Sequence, residues 1–506
     1  MNKKTVFLSL ASGILLFLSF PKFSLSYCAF ISLIPLFYAL QGRGPREAVC
    51  AGLMTGFIFN VGLLYWITHV VVHYGNLPLY LGVVVMLLLA CYLSCYVALF
   101  SAGLVYLRKK GVPGVIGAPL LWTTLEFVKS HAFTGFPWEN LACSQYEWIT
   151  FIQIADVTGI YGITFIIVMV NYLFFDILTN KDKKTVITEL ITGVALLAIV
   201  LGYGTWRVDN VRNAMKSGVP FTISLIQGSI DQSIKWNPRY QLETLEIYRN
   251  LSMSTDADSS DLIVWPETAA PFFFQDVDFK HRVVTNIARM TGAHLLFGNP
   301  SYLRREGEFL LRNSAYLISP EGETTGRYDK VHLVPFGEYV PMSSLFSFLD
   351  KLVEGVGNFI PGKGFMPLEM DGTRIGVLIC YEGIFPEIGR QYREEGASIL
   401  LNLTNDAWYG RTSAPYQHMT MITFRAVENR LYVARAANTG ISAIIDPVGT
   451  IVTQTELFKR GVLTGQVACV GGSTFYSRHG DIFVYCCMIF LCAIISATVI
   501  RRKSYD

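Results

Sequence analysis

The sequence predicts a multi-pass α-helical membrane domain joined to a large α/β domain on the extracytoplasmic side. Two observations of composition lead to this division. Apolar residues make up 52% of the 506 residues and charged residues only 16%, whereas an ordinary soluble protein has roughly 25% charge. The charge is also uneven, with 20 charged residues in 1–206, 55 in 207–481 and four in 482–506. These numbers exclude an ordinary soluble enzyme, a disordered protein and a basic nucleic-acid binder.

Apolar runs divide the chain into membrane and non-membrane parts. A bilayer core about 30 Å thick needs roughly 20 apolar residues for each helical crossing. Runs that approach this length lie at 5–20, 25–41, 48–68, 78–107, 112–128, 157–178, 187–206 and 482–500. The sequence therefore predicts a seven-helix transmembrane domain over 1–206. It also predicts a soluble domain over 207–481 and an eighth transmembrane helix with a cytoplasmic tail over 482–506.

The basic residues between these runs predict the orientation. Lys and Arg precede the first run and follow the second, fourth, sixth and last runs, whereas the loops of opposite parity hold only Lys22 and Lys129. By the positive-inside rule both termini are cytoplasmic and residues 207–481 lie outside the cytoplasm. A cleaved signal peptide over 1–20 is the alternative. It is disfavoured because no small-residue cleavage site precedes Pro21 and its removal would disturb the charge pattern.

The extracytoplasmic part alternates between short β-rich runs and longer amphipathic stretches. Strands are predicted at 221–227, 261–265, 293–297, 314–318, 375–379, 398–402 and 442–445. Helices are predicted between them at 240–254, 277–291, 383–394 and 417–430. This rhythm indicates sheet layers covered by helices, and roughly 250 residues suffice for one sizeable core.

Cysteine and histidine spacing gives no sign of a metal centre. Only Cys380 and Cys469 belong to the extracytoplasmic domain, and in an oxidising compartment they could form one disulfide, which is the alternative to a free Cys380. No C-x-x-C or His/Cys spacing suggests zinc. His69 and His73 are four residues apart, but no third ligand is nearby, so we expect polar residues at the membrane interface. We expect neither a metal nor a cofactor.

Three polar residues stand where apolar strands give way to loops: Glu267, Lys330 and Cys380. Taken singly they are typical of a solvated turn, a surface charge and a buried core position. Taken together they supply a nucleophile, a carboxylate base and a cation able to hold a thiolate or a developing oxyanion. Loops at strand ends of layered α/β folds are where such groups collect.

The runs 264–267, 328–330 and 379–382 are similar to the Glu-Lys-Cys signature of the nitrilase (carbon–nitrogen hydrolase) superfamily. With the membrane plan, the chain resembles the membrane-embedded branch of that superfamily, the bacterial apolipoprotein N-acyltransferases. Supporting stretches lie at 135–138, 232–236, 333–339, 405–410, 417–418 and 425–426. The resemblance implies a nitrilase-like αββα sandwich over 207–481, on the periplasmic side of a bacterial inner membrane.

The resemblance also implies a reaction in two halves. An acyl chain passes from a membrane phospholipid to Cys380, with Glu267 as base and Lys330 as cationic support. It then passes to the α-amine of a diacylglyceryl-modified cysteine at the N-terminus of an apolipoprotein. Glu338 would assist, and Tyr381 and Glu382 would line the pocket behind the nucleophile. Trp236 and the aromatics of 135–148 would either contact substrate or serve packing and anchoring.

Two other functions use the same sequence features. A membrane-anchored amidase or nitrilase-type hydrolase would use the same three residues with water as acceptor. A catalytically silent receptor or scaffold would bind ligands through its external domain. The hydrolase gives no reason for eight membrane spans, and the scaffold gives none for Glu267, Lys330 and Cys380 in motif context. Nothing in the sequence demands more than a monomer.

Overall fold

The N-terminal part is a bundle of apolar helices in the computed structural model, which describes residues 1–254, 260–305, 307–340 and 359–503. The helices are α1 (Lys3–Leu18), α2 (Ile34–Leu40), α3 (Pro45–Leu64), α4 (Trp66–His73), α5 (Leu79–Lys109), α6 (Gly114–His131), α7 (Ile149–Ile152), α8 (Ala155–Thr158), α9 (Ile160–Thr179) and α10 (Lys183–Ser217). In the part of the chain that the structure describes, five helices are long and apolar enough to cross a membrane: Pro45–Leu64, Leu79–Lys109, Ile160–Thr179, Lys183–Ser217 and Ile482–Ile500. The number of crossings therefore stays a prediction.

The predicted run 25–41 is not one helix. It forms a 3-10 helix, Ser26–Phe30, followed by the short α2. Pro35 in the first turn of α2 has no N–H to donate and would clash with the preceding turn of a continuous helix. Asn171 of α9 satisfies the backbone at the break, because its side chain accepts from the Leu33 N–H and donates to the Ala29 carbonyl. Apolar surroundings offer no water to pair with these backbone groups, so a side chain must supply the hydrogen bonds.

Helix α10 extends beyond the predicted boundary at 206/207. Its 35 residues span about 52 Å at 1.5 Å per residue, well over the roughly 30 Å of a bilayer core. Its second half is polar and is held by an ion pair between Arg207 and Asp156, at 2.6 Å. The helix ends at Ser217 and the first strand begins at Val219, so α10 connects the two parts of the molecule directly.

The described residues of the α/β domain form two six-stranded sheets. The first has the order β12-β1-β2-β3-β4-β5 and the second the order β11-β10-β9-β8-β7-β6. The strands are β1 (Val219–Gln227), β2 (Leu262–Val264), β3 (His294–Arg305), β4 (Glu308–Ile318), β5 (Thr324–Asp329), β6 (Leu368–Met370), β7 (Thr373–Ile379), β8 (Ile399–Thr404), β9 (Tyr432–Ala437), β10 (Ala443–Ile445), β11 (Ile451–Gln454) and β12 (Gly461–Cys469).

Helices cover the sheets of this domain, whereas the C-terminal α17 packs on α6, α8 and α9 of the helical bundle. The helices that follow β1 are α11 (Gln232–Lys235), α12 (Gln241–Ser252), α13 (Phe279–Thr291), α14 (Pro386–Glu394), α15 (Ala414–Asn429), α16 (Phe475–His479) and α17 (Ile482–Lys503). Helix α12 contacts β1, whereas α14 contacts β7 and α15 contacts β9. The sheets pack on each other through β1 with β9 and β4 with β7. The predicted αββα sandwich is therefore confirmed.

All seven predicted strands and all four predicted helices are present, and five strands were missed: β5, β6, β9, β11 and β12. All six residues of strand β9 are buried, but the charged Arg435 among them breaks the apolar pattern by which a core strand is recognised. Strands β5 and β11 are polar and short of buried residues. Their pairing comes from neighbouring strands, which apolar periodicity in one segment does not report.

Candidate active site

The three predicted catalytic side chains follow different strands and are all buried. Glu267 lies beyond β2, Lys330 directly after β5 and Cys380 directly after β7. Their exposed fractions are 6%, 1% and 7%. The Lys330 Nζ lies 2.9 Å from Glu338 Oε2 and 3.9 Å from Glu267 Oε1. The structure thus brings Lys330 between two carboxylates, and the charges of Lys330 and Glu267 both reach the Cys380 thiol.

The Glu267 carboxylate is fixed by amide donors at both oxygens. Oε1 accepts from Asn313 Nδ2 at 2.8 Å, and Oε2 accepts from the Asn405 N–H at 2.9 Å. The same Asn313 Nδ2 donates to Glu338 Oε1 at 2.9 Å. Asn313 on β4 was not predicted, and a single asparagine within an alternating strand carries no signal of this role.

Lys330 keeps its positive charge despite complete burial. Burial by itself would lower the pKa of its ammonium, but the charges of Glu338 and Glu267 outweigh burial and raise the pKa above its usual value. The Lys330 Nζ donates a hydrogen bond to Glu338 Oε1 at 3.0 Å. A charged ammonium beside the nucleophile is a ready partner for a developing oxyanion.

Cys380 is a buried, neutral thiol in a left-handed backbone conformation, with φ of +53°. Burial and then the Glu267 charge raise the pKa of the thiol, and the opposing effect of Lys330 is smaller. In the resting site, burial and the Glu267 charge therefore outweigh the effect of the ammonium on the thiol. Cys380 and Cys469 are both free, so the structure does not contain the alternative in which they form a disulfide. Attack by sulfur requires a base to take the thiol proton.

Glu382 connects two segments of the site through hydrogen bonds to its carboxylate. Its Oε1 accepts from the Tyr328 hydroxyl and from the N–H groups of Val331 and His332, at 2.7, 2.8 and 3.1 Å. Its Oε2 accepts from the Ile379 N–H at 2.7 Å. Burial raises the pKa of this carboxyl to about 7, against the effect of Lys330 and these donors. Glu382 therefore joins the loop that carries Lys330 to the strand that carries Cys380.

Lys235 at the end of helix α11 points into the site, whereas Trp236, the next residue, lies at the surface. Trp236 is 49% exposed, whereas Lys235 is 1% exposed. The Lys235 Nζ donates to the Glu267 carbonyl oxygen at 3.2 Å. Burial lowers its pKa to about 8, and the charges of Glu267 and Cys380 oppose that change. Lys235 was not predicted as a site residue, and the substrate contact expected of Trp236 stays a prediction.

A loop from the helical bundle reaches the same site. The Tyr381 hydroxyl lies 3.4 Å from the Gly135 carbonyl oxygen, and the Trp138 indole N–H donates to Gln417 Oε1 at 2.9 Å. Trp148 lies outside this contact, against Phe30 and Phe151.

The ring centroids of His69 and His73 lie 4.1 Å apart, with the rings tilted against each other. Within the described ranges no three His, Cys, Asp or Glu residues form a group able to hold a metal ion.

Comparisons with known proteins match the chain along nearly its whole length. The family model for the apolipoprotein N-acyltransferase N-terminal domain matches residues 12–173, and the carbon-nitrogen hydrolase model matches residues 222–472. An apolipoprotein N-acyltransferase of Geobacter metallireducens is 43% identical over 99% of this chain and 96% of its own length. One of Pasteurella multocida is 32% identical over 96% of this chain and 94% of its own.

A solved amidase from Nesterenkonia sp. is 22% identical, with a TM-score of 0.39, and the match covers 52% of this chain and 95% of the amidase.

Proposed function

We propose that this chain, which belongs to the apolipoprotein N-acyltransferase family and is an acyltransferase, uses a membrane phospholipid as acyl donor and Cys380 as the acyl carrier. The acceptor is the α-amine of an N-terminal, diacylglyceryl-modified cysteine of an apolipoprotein. The observation that carries this proposal is the buried, free Cys380 thiol beside a Lys330 ammonium that is held between Glu267 and Glu338. The products are lysophospholipid and a triacylated lipoprotein.

In the first half-reaction Glu267 takes the proton of the Cys380 thiol as the sulfur attacks the ester carbonyl carbon of the phospholipid. The carbonyl oxygen becomes an oxyanion, for which the Lys330 ammonium and the N–H of Tyr381 are the proposed donors. Loss of one such donor typically costs about 10²–10³ in rate. The intermediate collapses to a thioester, and the departing lysophospholipid oxygen receives the proton that Glu267 holds.

In the second half-reaction the acceptor amine attacks the thioester. An α-amine has a pKa near 7.7–8.0, so a useful fraction is neutral at pH 7. Glu267 takes a proton from the amine as it attacks, and the Cys380 sulfur leaves and is protonated again. Water is the competing acceptor. The burial of Cys380, with an exposed fraction of 7%, supports protection of the thioester from hydrolysis.

We further propose that the enzyme lies in a bacterial inner membrane with its catalytic domain facing the periplasm. The basic loops of the helical part support this orientation by the positive-inside rule. Both substrates are lipid-linked, so an enzyme held at the bilayer surface meets them at high local concentration. The contact of the loop around Gly135 with Tyr381 supports a site that opens toward the membrane side of the domain. A monomer contains every proposed group.

The test uses purified enzyme with a phospholipid that carries a labelled acyl chain, with and without a diacylated N-terminal cysteine peptide. We expect label on Cys380 that moves to the peptide amine. Cys380→Ala should abolish labelling, whereas the matched variant Cys469→Ala, which removes the other free thiol of the domain, should label normally. Equal release of fatty acid with and without peptide would instead indicate a hydrolase. Labelling that survives Cys380→Ala would identify a different nucleophile.

A further inference from the structure

A cluster of polar side chains converges on the backbone carbonyl oxygen of Cys380. His418 of α15 places Nε2 3.3 Å from the Cys380 carbonyl oxygen. Asn402 of β8 places Nδ2 3.4 Å from the same oxygen and 3.0 Å from the Leu378 carbonyl. Both side chains are completely buried. The mechanism proposed above assigns no task to either residue.

The contact with the Cys380 carbonyl fixes the role of His418 Nε2. A carbonyl oxygen only accepts, so Nε2 carries a hydrogen and donates it there. The other ring nitrogen, Nδ1, lies 3.1 Å from both Arg435 Nη2 and Asp406 Oδ1. Burial, followed by the Arg435 charge, lowers the pKa of His418, and the Asp406 charge opposes this change. Arg435 and Asp406 therefore hold the ring at Nδ1 while Nε2 donates to the Cys380 carbonyl.

Arg435 of β9 also fixes the second donor. Its Nη1 donates to Asn402 Oδ1, which leaves the Asn402 amide nitrogen facing the Cys380 carbonyl. Its Nη2 donates to Asp406 Oδ2 at 2.6 Å, and the other Asp406 oxygen accepts from the Thr404 hydroxyl at 3.0 Å. One completely buried guanidinium thus orients both groups that hold the Cys380 oxygen.

The peptide bond between Cys380 and Tyr381 links the direction of the Cys380 carbonyl to the direction of the Tyr381 N–H. The bond is trans, so its C=O and N–H point in opposite directions. Fixing the carbonyl on the His418 side therefore aims the Tyr381 N–H toward the opposite side. Tyr381 is the second residue of the 3-10 helix Cys380–Ile384, a position whose N–H has no partner within the helix. Cys380 occupies the left-handed region, which is unfavourable for a non-glycine residue, so outside support matters.

We propose that His418 is a positioning residue of the acyl-transfer reaction, which with Asn402 holds the Cys380 carbonyl and so aims the Tyr381 N–H at the oxygen of the reacting acyl group. The inference rests on the proposed function for the nature of that acyl group. Two chemical predictions separate it from a purely structural role. Formation of an oxyanion should depend on His418, and simple alkylation of the Cys380 sulfur, which creates no oxyanion, should not.

The test compares wild type with His418→Phe, which keeps an aromatic ring beside Trp138 but removes the donor. The first measurement is the rate of Cys380 acylation by labelled phospholipid and, separately, by p-nitrophenyl acetate. The second is the rate of Cys380 alkylation by iodoacetamide. We expect acylation by both esters to fall about 10–10²-fold. Alkylation should change less than about threefold.

Three further variants make the result specific. His418→Gln restores an N–H donor and should recover most of the lost acylation. Thr423→Val removes a buried hydroxyl on the same helix that bonds only to Met419 within that helix, and should leave both rates unchanged. If His418→Phe does not fold, as judged by thermal unfolding in detergent, His418→Leu replaces it.

Parallel loss of acylation and alkylation, or no loss of either, would overturn the proposal. So would failure of His418→Gln to recover activity while the variant remains folded. The ester pair separates this inference from the proposed function. If wild type reacts with p-nitrophenyl acetate but not with phospholipid, the proposed donor is wrong. The effect of His418 on the p-nitrophenyl ester still decides the positioning role.

Discussion

At the scale of single residues, the charge balance around Cys380 determines how the site can react. Two buried ammonium groups, Lys235 and Lys330, lie within reach of two carboxylates, the buried Glu267 and the partly buried Glu338. Lys330 is paired on both sides, whereas Lys235 donates to a backbone oxygen of Glu267. The less compensated lysine is the one whose protonation changes near physiological pH, because burial lowers its pKa to about 8.

The protonation of Lys235 gives a pH prediction. Below about pH 8 its ammonium attracts the forming Cys380 thiolate, and this attraction is lost as the pH rises through 8. We expect the acylation rate of wild type to fall between about pH 7 and 9. Lys235→Met should lose that pH dependence and be about tenfold slower at pH 7, the equivalent of roughly one pKa unit. Single-turnover acylation against pH measures both.

Lys235→Arg is the control for the sign of this effect. A guanidinium stays charged throughout this range, so acylation should show no fall between pH 7 and 9. A wild-type profile that is flat over the same range, or a Lys235→Met profile that keeps the fall, would contradict the assignment to Lys235.

At the scale of elements, loops at the ends of strands from both sheets build the site. Strands β2 and β5 of the first sheet deliver Glu267 and Lys330, and β7 of the second delivers Cys380. Strand β2 pairs in parallel with β1 and β3, and β8 pairs in parallel with β7 and β9, which brings the carboxyl ends of these strands to common edges. Glu382 then joins the two sheets, since its four donors come from both sides.

The junction at Glu382 predicts that charge and shape both matter there. Glu382→Gln conserves size but turns an NH₂ group toward backbone N–H donors. We expect the free energy of unfolding to fall by about 1–3 kcal/mol, the usual cost of a buried polar group without a partner. Thermal or denaturant unfolding in detergent measures this loss. The control Glu394→Gln, on the exposed end of α14, should show no shift. Equal stability of Glu382→Gln and wild type would contradict the pinning role.

At the scale of the whole molecule, a buried ion cluster ties the helical part to the catalytic domain. Asp156 of α8 accepts from Arg430, at the end of α15, at 2.7 Å and from Arg207 of α10 at 2.6 Å. Its other oxygen accepts from the Tyr203 hydroxyl at 2.6 Å. Gln153 adds a bond to Arg430 Nη1 and another to the Val448 carbonyl. The catalytic domain is therefore docked by specific contacts as well as by the covalent connection through α10.

Removing one charge of this cluster predicts a large loss of stability. Asp156→Asn leaves the buried Arg430 guanidinium uncompensated, for which the usual cost is about 3–5 kcal/mol. The unfolding midpoint in detergent should fall accordingly, while the control Glu456→Gln, which breaks the exposed pair with Lys459, should leave it unchanged. An unchanged midpoint for Asp156→Asn would show that the docking does not depend on this pair.

Much of the fold was predictable because it follows from local patterns. Apolar runs and strand–helix alternation predicted the membrane part and the α/β part. They also predicted β2 and β7, the strands that precede Glu267 and Cys380. The predictions failed where contacts with a distant part of the chain, rather than the local sequence pattern, decide the local structure. The break in 25–41 depends on Asn171 from a distant helix, and β9 is concealed by Arg435, whose partners are distant in sequence.

The sequence by itself determined the order of the motifs, the uneven charge, and the residue types available for nucleophile, base and cation. Only the tertiary structure decided that Lys235 rather than Trp236 faces Glu267, that Asn313 joins Glu267 to Glu338, and that His418 and Asn402 hold the Cys380 carbonyl. The physical reason is that charge and burial act through distance in space. Desolvation of Cys380 and the direction of one peptide bond depend on side chains that the chain brings together only when it folds.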